Sequence, residues 1–472
     1  MINLTVENKW LPIKINTGII ETAFKLAGKN NNNVLAIVLA SKPCFYKLFS
    51  VWQEAKNKKL PHILVHTGQH YDKLMSFGLK EFNFNKEISI DLQIRGDLSQ
   101  KSAELFSKFK RISLFIKERW PLINLVPYVN GDTISAGIIP IAWTLATNQK
   151  AIHGEAGLRG MSPEFFLKFN EKEHRDIDKF IKKQFRSRWI INRTEPFPEQ
   201  IDTFIAAAGC RYLFAPQKLN RRHLINEGYS KDDIFVTGNT VVDVMNLIKN
   251  EKPEESIFDL YPKLKEGEWL RVDIHRRENL TKKRFKAIIG SIIKLTNNGK
   301  KIVFIELDAG RKALEHYGLR EGLLGLNKRS KNFLFTPVWK RYSQVIEFIK
   351  SEHCWAVMTD SGSLQEEMNE LQKPCLTVRF STDRPETVMM AHSNVLVPPI
   401  SKEFIAKMVY HIYGNRQLRR TMSRGKKLYG RNVAEKIIST IEKLFKNNKS
   451  MFKWAHEELK IYKETDKNFR YL

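Results

Sequence analysis

Short apolar segments alternate with helix-like segments along most of this 472-residue chain, and this alternation constrains the fold more than any other feature. In the first half, the apolar runs "VLAIVLA" (34–40), "HILVHTG" (62–68), "LINLVPYVNGDT" (122–133) and "KAIHGEAG" (150–157) are typical of strands. The segment "ISAGIIPIAWTLAT" between the last two is typical of a helix. Strands that alternate with helices indicate βαβ units and a parallel sheet. We therefore predict an α/β fold built from doubly wound, Rossmann-like units.

Three of these predicted strands end in small or polar residues, in "HTGQH", "NGDT" and "HGEAG". Because the carboxyl ends of parallel strands lie at one edge of a sheet, we expect Gln69, His70, Asp132 and Glu155 to converge there. Glu155 stands in "AIHGEAGLRG", where glycines let the backbone bend sharply after a strand. Such a bend points the acid into the crevice where open α/β sheets bind ligands. The alternative is a strand-end turn that carries a solvated glutamate.

A second α/β half begins near residue 246. The segments "EWLRVDIHRREN", "KIVFIEL", "CWAVMTDSGSLQEEMNEL" and "CLTVRF" indicate further strands, some of them followed by turns and helices. We predict two Rossmann-like domains with a cleft between them. The expected limits are an N-terminal extension (1–33), a first domain (34–245) with a basic insertion (161–195), a second domain (246–428), and C-terminal helices (429–472) that pack back on the first domain. The charged, aromatic insertion indicates a helical excursion or a lid over the crevice.

Length and composition narrow the class of protein. A chain of 472 residues is too long for one core, and it contains no apolar run of about 18 residues that would span a membrane. The polar N-terminus does not resemble a signal peptide. Because Cys44, Cys210, Cys354 and Cys375 are scattered, they indicate neither a zinc site nor a disulfide framework. We expect a cytoplasmic protein without a metal or cofactor.

The formal net charge of +28 is unusual. Such a charge favours acidic partners, namely nucleic acid, an anionic membrane surface or a phosphorylated substrate. However, the lysines occur with runs of asparagine, as in "GKNNNN" and "KLFKNNKS", a pairing that codon bias in an AT-rich genome also produces. We therefore favour neither nucleic acid nor an anionic surface as the main partner.

The turn in "TDSGSLQEE" is the best candidate for a phosphate site. Ser361, Gly362 and Ser363 open a predicted helix, where free backbone N–H groups and the helix dipole attract anions. Glu367, one turn later, is positioned to accept hydrogen bonds from a ribose. The alternative is a plain capping box formed by Asp360 or Ser361 with Glu366 or Glu367.

Ten motifs, taken in order, resemble the non-hydrolysing UDP-N-acetylglucosamine 2-epimerases, over roughly residues 34–445. They are "HTGQHYDKLMS", "NGDT", "HGEAGLRG", "PFPEQ", "LFAP", "VTGNTVVDVM", "DIHRREN", "TDSGSLQEE", "STDRPE" and "YGRNVAEKI". The resemblance implies a GT-B fold of two Rossmann-like domains. It also implies a reaction in which a base removes the C2 proton of the sugar, UDP leaves C1, a proton is added to the opposite face, and UDP returns.

The resemblance assigns roles residue by residue. The family's acids match Asp132, Glu155 and Glu199, and its histidine matches His275. The residues implied in binding a UDP-sugar are Lys42, Lys47, Gln69, His70, Arg276, Ser361, Gly362, Ser363, Glu367 and Arg384. Of the acids, we expect Glu155 to act on the C2 proton. Taken singly, Asp132 also fits a helix cap, Glu199 a helix-terminal charge and His275 a strand-end histidine with its hydrogen bonds satisfied.

The sequence also departs from the family. Lys42 stands where the family has an arginine that contacts the nucleotide, and lysine cannot form the bidentate fork of arginine. In "PEQIDT", Gln200 replaces a second acid, Asp202 an asparagine and Thr203 an active-site arginine. Arg193 of the insertion is a candidate to replace that arginine. The family's "HP" is here part of "ELDAGR", and the second glycine of its "DSGG" is Ser363.

These departures leave three functions open. The first is a sugar-nucleotide 2-epimerase acting as a homodimer. The second is a related GT-B enzyme that hydrolyses or transfers the sugar, and the third is an inactive descendant that binds polyanions. The sequence favours the epimerase because the acid/base residues are all present, although several substrate-orienting groups are not.

Overall fold

A computed structural model describes residues 10–69, 77–169, 176–248, 253–447 and 450–452. In it the chain forms two large sheets, whose strands are nearly all parallel. The first sheet has eight strands in the order β1-β4-β3-β2-β5-β6-β9-β10, and all but β1 run parallel to their neighbours. These strands are β1 (Lys14–Ile15), β2 (Asn33–Leu39), β3 (His62–His66), β4 (Ile88–Asp91), β5 (Asn124–Asn130), β6 (Ala151–Gly154), β9 (Cys210–Ala215) and β10 (Ile234–Val236).

The second sheet has six parallel strands in the order β13-β12-β11-β14-β15-β16. They are β11 (Trp269–Asp273), β12 (Lys301–Glu306), β13 (Phe333–Pro337), β14 (Cys354–Thr359), β15 (Cys375–Thr377) and β16 (Asn394–Leu396). A small antiparallel pair joins β7 (Met161–Pro163) to β8 (Trp189–Ile191). The two parallel sheets confirm the predicted α/β architecture.

The helices of the first half are α1 (Thr17–Lys25), α2 (Lys42–Asn57), α3 (Phe77–Glu81), α4 (Leu98–Arg119), α5 (Ile134–Thr147), α6 (Ile177–Arg186), α7 (Glu199–Ala208), α8 (Lys218–Asn226) and α9 (Val241–Ile248). Those of the second half are α10 (Ile257–Leu260), α11 (Lys282–Asn297), α12 (Asp308–His316), α13 (Arg320–Arg329), α14 (Tyr342–Lys350), α15 (Gly362–Leu371), α16 (Glu386–Met389), α17 (Lys402–Gly414), α18 (Arg416–Ser423) and α19 (Val433–Asn447). Single 3₁₀ turns occur at Ala27–Asn30, Phe84–Lys86, Glu164–Lys168, Lys231–Asp233, Pro262–Lys265 and Arg277–Leu280.

Both faces of the first sheet are covered, and strand β2 shows why its sequence is a continuous apolar run. Leu35, Ile37 and Leu39 pack into the hydrophobic core on one face, while the intervening residues of β2 pack into the core on the other. Successive side chains of a strand point to opposite faces, so a strand buried on both sides needs apolar residues throughout. None of the described helices is both long and apolar enough to span a bilayer.

The first described segment of the chain pairs with the first sheet, and helix α19 packs beside that sheet. Within the expected N-terminal extension, β1 pairs with β4, so the described part of that segment is built into the sheet. Helix α19 packs Ile437, Ile441 and Phe445 into the core that also contains α2. The carboxyl of Asp243 accepts hydrogen bonds from two N–H groups in the first turn of α19, the shorter of them 2.7 Å long.

The described part of the insertion docks on the second sheet. Helix α6 places Phe180 and Ile181 in that sheet's hydrophobic core. The Gln184 amide donates to the carbonyl of Leu396 at 2.9 Å and accepts from its N–H at 2.8 Å. Leu396 lies in edge strand β16, whose outer backbone groups need partners. The insertion thus forms the expected helix, but α6 covers a sheet edge rather than acting as a free lid.

Candidate active site

The turn after β5 presents Asp132 to the cleft. Helix α5 is capped by Thr133, whose hydroxyl accepts the N–H of Ala136 at 3.3 Å. Asp132 is therefore not the cap, and its carboxylate lies 3.8 Å from the guanidinium of Arg384. Burial raises the pKa of Asp132 to about 6, although the charge of Arg384 acts in the opposite direction.

Glu155, at the bend after β6, is buried and not solvated. Its backbone has φ of +62°, a conformation that non-glycine residues rarely adopt. The carboxylate lies 2.8 Å from Nζ of Lys47 and accepts a hydrogen bond from Asn130 at 2.9 Å. Burial alone would raise the pKa of Glu155, but the charges of Lys47 and Arg384 outweigh it and lower the pKa.

A network of ion pairs connects Glu155 to the second half of the chain. Nζ of Lys47 is also 2.8 Å from Glu366 of α15. Glu366 in turn accepts hydrogen bonds from Nε of Arg384 at 2.6 Å and from Asn239 at 2.9 Å. Arg384 also lies 2.8 Å from Asp383. We call Lys47, Glu155, Glu366, Asp383 and Arg384 the paired side of the cleft.

A second group of acids has few counter-charges, and we call Asp132, Glu199, Asp202 and Glu278 the acid-rich side. Glu199, the first residue of α7, pairs through one oxygen with the guanidinium of Arg276, which comes from the other half of the chain. Its second oxygen has no hydrogen-bond partner among the described residues, and the same is true of both carboxyl oxygens of Asp202 and Glu278. Unpaired buried acids favour their protonated forms. Accordingly, burial first and the neighbouring carboxyls second raise the pKa of Asp202 to about 8.

His275 is held at the end of β11 by Asp360. Nδ1 of His275 lies 3.1 Å from the Asp360 carboxylate, which also accepts the backbone N–H groups of His275 and Arg276 and the amide of Asn279. Burial lowers the pKa of His275, but the charge of Asp360 outweighs this and raises it. Asp360 therefore fixes the histidine turn and does not cap α15.

Helix α15 begins at the predicted phosphate turn. Ser361 occupies the N-cap position, but its side chain makes no capping hydrogen bond. A Cβ at Gly362 would lie 3.4 Å from both oxygens of Asp383, so this end of the helix faces the paired side. Ser363 is partly exposed in the first turn. Glu367 is buried beside Tyr342, and burial raises its pKa to about 8.

The structure describes two of the three remaining predicted residues, Gln69 and Lys42. Gln69 accepts a hydrogen bond from Ser135 at 2.7 Å, at the same sheet edge as Asp132. Lys42 begins α2, and its charge lowers the pKa of Glu81, which burial otherwise raises. His70 lies outside the described residues.

The family arginine that Thr203 replaces has no direct substitute in its own helix. Thr203 is buried and donates its hydroxyl hydrogen bond to the carbonyl of Gln200 at 3.1 Å. The Gln200 side chain accepts the N–H of Gly160 at 2.7 Å. Arg193 lies over the ring of Phe204 at 4.7 Å. Arg193 thus reaches the residue next to Thr203, and its guanidinium is stacked on an aromatic ring.

The most important residues that the sequence did not assign to the site are Glu366 and Asp383. Both lie beside predicted residues, in "SLQEE" and "STDRPE", and that adjacency was the only available signal. All four cysteines are buried and free. In the described parts of the chain, no group of three or more histidine, cysteine or acidic side chains is arranged to hold a metal ion.

Comparison with known proteins identifies the family. A family model described as UDP-N-acetylglucosamine 2-epimerase matches residues 188–442. The UDP-N-acetylglucosamine 2-epimerase of Methanocaldococcus jannaschii is 27% identical over 385 residues, covering 79% of this chain and 91% of that protein. The protein of the same name from Campylobacter jejuni is 27% identical over 433 residues, covering 88% and 99%.

Solved structures show the same fold. The crystal structure of the Methanocaldococcus jannaschii UDP-GlcNAc 2-epimerase in complex with UDP-GlcNAc and UDP matches with a TM-score of 0.67 and 24% identity, covering 86% of this chain and 99% of that one. The Staphylococcus aureus MnaA-UDP co-structure matches with a TM-score of 0.69 and 21% identity, covering 88% and 97%. The family model spans more than half of the sequence, and the fold agrees with these structures. The chain therefore belongs to the UDP-N-acetylglucosamine 2-epimerase family.

Proposed function

We propose that this protein is a sugar-nucleotide 2-epimerase that interconverts UDP-GlcNAc and UDP-ManNAc. The observation that carries this proposal is the meeting of Asp132, Glu155 and Glu199 with Arg276 and Arg384 between the two sheets. Inversion at C2 needs acid/base groups around the sugar ring, and a departing diphosphate needs cations nearby. The names of the relatives point to the same reaction.

We place UDP against the second half of the chain, with the diphosphate at Ser361, Gly362 and Ser363 and the ribose at Glu367. The start of α15 supplies N–H groups without a side-chain cap. Lys42, Gln69 and His70 would contact the sugar-nucleotide from the first half, and Lys47, Arg276 and Arg384 would balance its charge. Lys47 and Arg384 are already held in place by carboxylates. Such a site needs little reorganisation when the diphosphate binds.

The reaction we propose has two balanced steps. A carboxylate removes the proton from C2, the C2–H electrons form a C1–C2 double bond, and the C1–O bond breaks with release of UDP. An acid then returns a proton to the opposite face of C2 while UDP re-forms the bond to C1. Asp132, Glu155, Glu199 and His275 are the proposed acid/base groups.

Within this set, electrostatics favours Asp132 over Glu155 as the base at C2. The pKa of Asp132 is raised to about 6, whereas Lys47 and Arg384, acting against burial, hold the pKa of Glu155 below its ordinary value. A base is most effective when its pKa lies near the working pH. Glu155 would then serve mainly to fix Lys47, which revises the role that we expected for it.

Product analysis tests the proposal. We expect the purified protein to convert UDP-GlcNAc into UDP-ManNAc with UDP and sugar remaining joined. Release of UDP and free sugar would instead show a hydrolysing enzyme, a possibility that Thr203 raises because an orienting arginine is missing. Neither reaction, together with salt-sensitive retention on anionic resins, would favour a polyanion-binding descendant.

Restoring the family residues tests the role of Thr203 directly. The double variant Asp202→Asn, Thr203→Arg reverses two of the three departures at the start of α7 and leaves Gln200 unchanged. If the protein epimerises slowly or only hydrolyses, we expect this variant to epimerise faster, because arginine would again orient the substrate. The single variant Asp202→Asn is the control. Equal rates in both variants would contradict an orienting role for this position.

The assembly, compartment and domain limits remain proposals. We propose a homodimer because Phe106, Leu114 and Leu145 are large, exposed apolar side chains on the neighbouring helices α4 and α5. Sedimentation velocity should show a dimer that Leu114→Glu weakens.

We place the protein in the cytoplasm because its cysteines are free. We retain 34–245 and 246–428 as the proposed domains.

A further inference from the structure

Asp202 is a buried carboxyl to which none of the described residues donates a hydrogen bond. It lies in the first turn of α7, one turn after Glu199, and its exposed fraction is 1%. Neither of its carboxyl oxygens has a hydrogen-bond partner among the described residues. The side chain of Asp202 packs against Gly137 of α5. A Cβ added at Gly137 would lie 3.1 Å from Oδ1 of Asp202. The glycine therefore makes room for the carboxyl, but nothing described there binds it.

The charged groups that act on Asp202 are themselves acids. Glu199 comes from its own helix and Asp132 from the turn before α5. Helix α5 has no ionisable side chain. On strand β9, which packs against α7, Arg211 directs its guanidinium to the carbonyl of Ser450 at 2.7 Å.

A charge in this position would be costly. Burying an ionised carboxyl without a counter-ion is so unfavourable that the group takes up a proton instead. Arg276 is already paired with Glu199. Arg384, which lies 3.8 Å from Asp132, is already paired with Glu366 and Asp383. An aspartic acid in this position is neutral only while it holds its proton, whereas an asparagine would be neutral at every pH.

We propose that Asp202 is kept as a neutral acid, so that the acid-rich side carries little enough negative charge for a nucleoside diphosphate to bind, and that its ionisation weakens this binding. Asp202 acts through the electric field of the cleft and is a positioning residue. The proposal rests on the proposed function in that the diphosphate is taken to be UDP. Binding and protonation must be reciprocal, so bound UDP must also strengthen the hold of Asp202 on its proton.

Calorimetric titration with UDP at pH 7 and pH 9 tests the proposal. Over this range the phosphates of UDP are already largely ionised. The titrations of Glu367, whose pKa is also raised to about 8, and of the uracil ring at the upper end of the range are common to the wild type and to the variants compared with it. We expect the affinity of the wild-type protein to fall by about fivefold, the loss that one pKa unit of coupling produces between these pH values for a group whose pKa is about 8. Asp202→Asn should lose much less affinity. The matched control is Asp243→Asn, because Asp243 is also a partly buried acid of raised pKa but caps α19 away from the cleft.

The control should behave like the wild type. An equal loss of affinity in Asp202→Asn and in the wild type would overturn the proposal.

Infrared spectroscopy of protein labelled with ¹³C-aspartate provides a readout that does not depend on catalysis. We expect a protonated carboxyl band at pH 7 that is absent from Asp202→Asn, fades near pH 8, and persists to higher pH when UDP is bound. Absence of this band at pH 7 would overturn the proposal even if UDP binds. Failure of the wild type to bind UDP would instead overturn the proposed function, and the band would still decide whether Asp202 holds a proton.

Discussion

The two sides of the cleft contain similar numbers of acids but differ in how many of these acids are paired with cations. On the paired side, Glu155 and Glu366 share Lys47, with both contacts at 2.8 Å, and Arg384 adds further neutralisation. On the acid-rich side, Arg276 pairs with one oxygen of Glu199, while Asp202 has no hydrogen-bond partner among the described residues. The positions of the cations, rather than the number of acids, distinguish the two sides.

The two sides therefore differ in whether their acids stay ionised or can exchange a proton near neutral pH. The cations lower the pKa of Glu155 even though it is buried, so it stays ionised. The pKa values of Asp132 and Asp202 are instead raised to about 6 and about 8. Groups with pKa values near neutrality are those suited to exchange protons. We infer that the paired side holds the two halves of the chain and the nucleotide in place, while the acid-rich side handles the proton.

The largest effect should come from Asp132→Asn, which removes a proton acceptor without changing its shape. We expect exchange of the C2 hydrogen to fall by about 10²- to 10⁴-fold, the usual contribution of a general base. In the wild type, the rate should rise with pH through about 6, because the base acts in its ionised form. NMR of UDP-GlcNAc in D₂O measures both. Asp243→Asn is the control, and a variant at position 132 with full exchange would show that the proton moves through another group.

Removing Lys47 should give the largest loss of stability, because it leaves Glu155 and Glu366 buried with less counter-charge. Breaking a buried ion pair by removing one partner costs about 3–5 kcal/mol of unfolding free energy. Urea denaturation of Lys47→Met measures this loss. The matched control, Lys56→Met, breaks an exposed pair with Glu87 and should cost less than about 1 kcal/mol. Similar losses in the two variants would remove the distinction between the paired side and an ordinary surface pair.

The fold and part of the site were predictable because they depend on local patterns. Alternating apolar runs predicted both sheets, and Glu155 was predictable because a strand and a glycine bend place it at a sheet edge. Glu366 was not, since it lies inside a helix and meets Lys47 only when the two halves of the chain come together. The protonation of Asp202 depends on the absence of hydrogen-bond donors around it among the described residues. That absence arises from the three-dimensional packing, so no sequence pattern predicts it.

The stability of Asp202→Asn should depend on pH in a direction opposite to that of a salt-bridged acid. The folded-state pKa of Asp202 is raised from 3.8 to about 8, so folded protein retains a proton that unfolded protein loses in that window. The wild type therefore loses unfolding free energy as the pH rises through this range, whereas asparagine does not titrate. From pH 4 to pH 9 we expect the variant to gain unfolding free energy over the wild type, by about 1.4 kcal/mol for each pKa unit by which folding raises the pKa of Asp202. Urea denaturation at both pH values measures the gain, and an unchanged difference would contradict a protonated Asp202.

Glu367→Ala should have the smallest effect. Because burial raises the pKa of Glu367 to about 8, its carboxyl is largely neutral at pH 7. A neutral hydrogen bond to the ribose would contribute about 0.5–1.5 kcal/mol to UDP binding. Calorimetry at pH 7 measures the loss, with Glu370→Ala as a control on the same helix, where Glu370 pairs with Lys427. Unchanged UDP affinity in Glu367→Ala would contradict the ribose assignment.

The most direct test of the account is whether the wild-type protein exchanges the C2 hydrogen of UDP-GlcNAc with solvent. In D₂O, we predict that the C2 proton signal disappears while UDP-ManNAc appears and UDP stays attached to the sugar. This result requires a base at C2 and reversible departure of UDP, as we propose for the acids between the two sheets. If the protein binds UDP but UDP-GlcNAc keeps its C2 proton, the proposed epimerase reaction is contradicted, because the cleft would then bind the nucleotide without moving the proton.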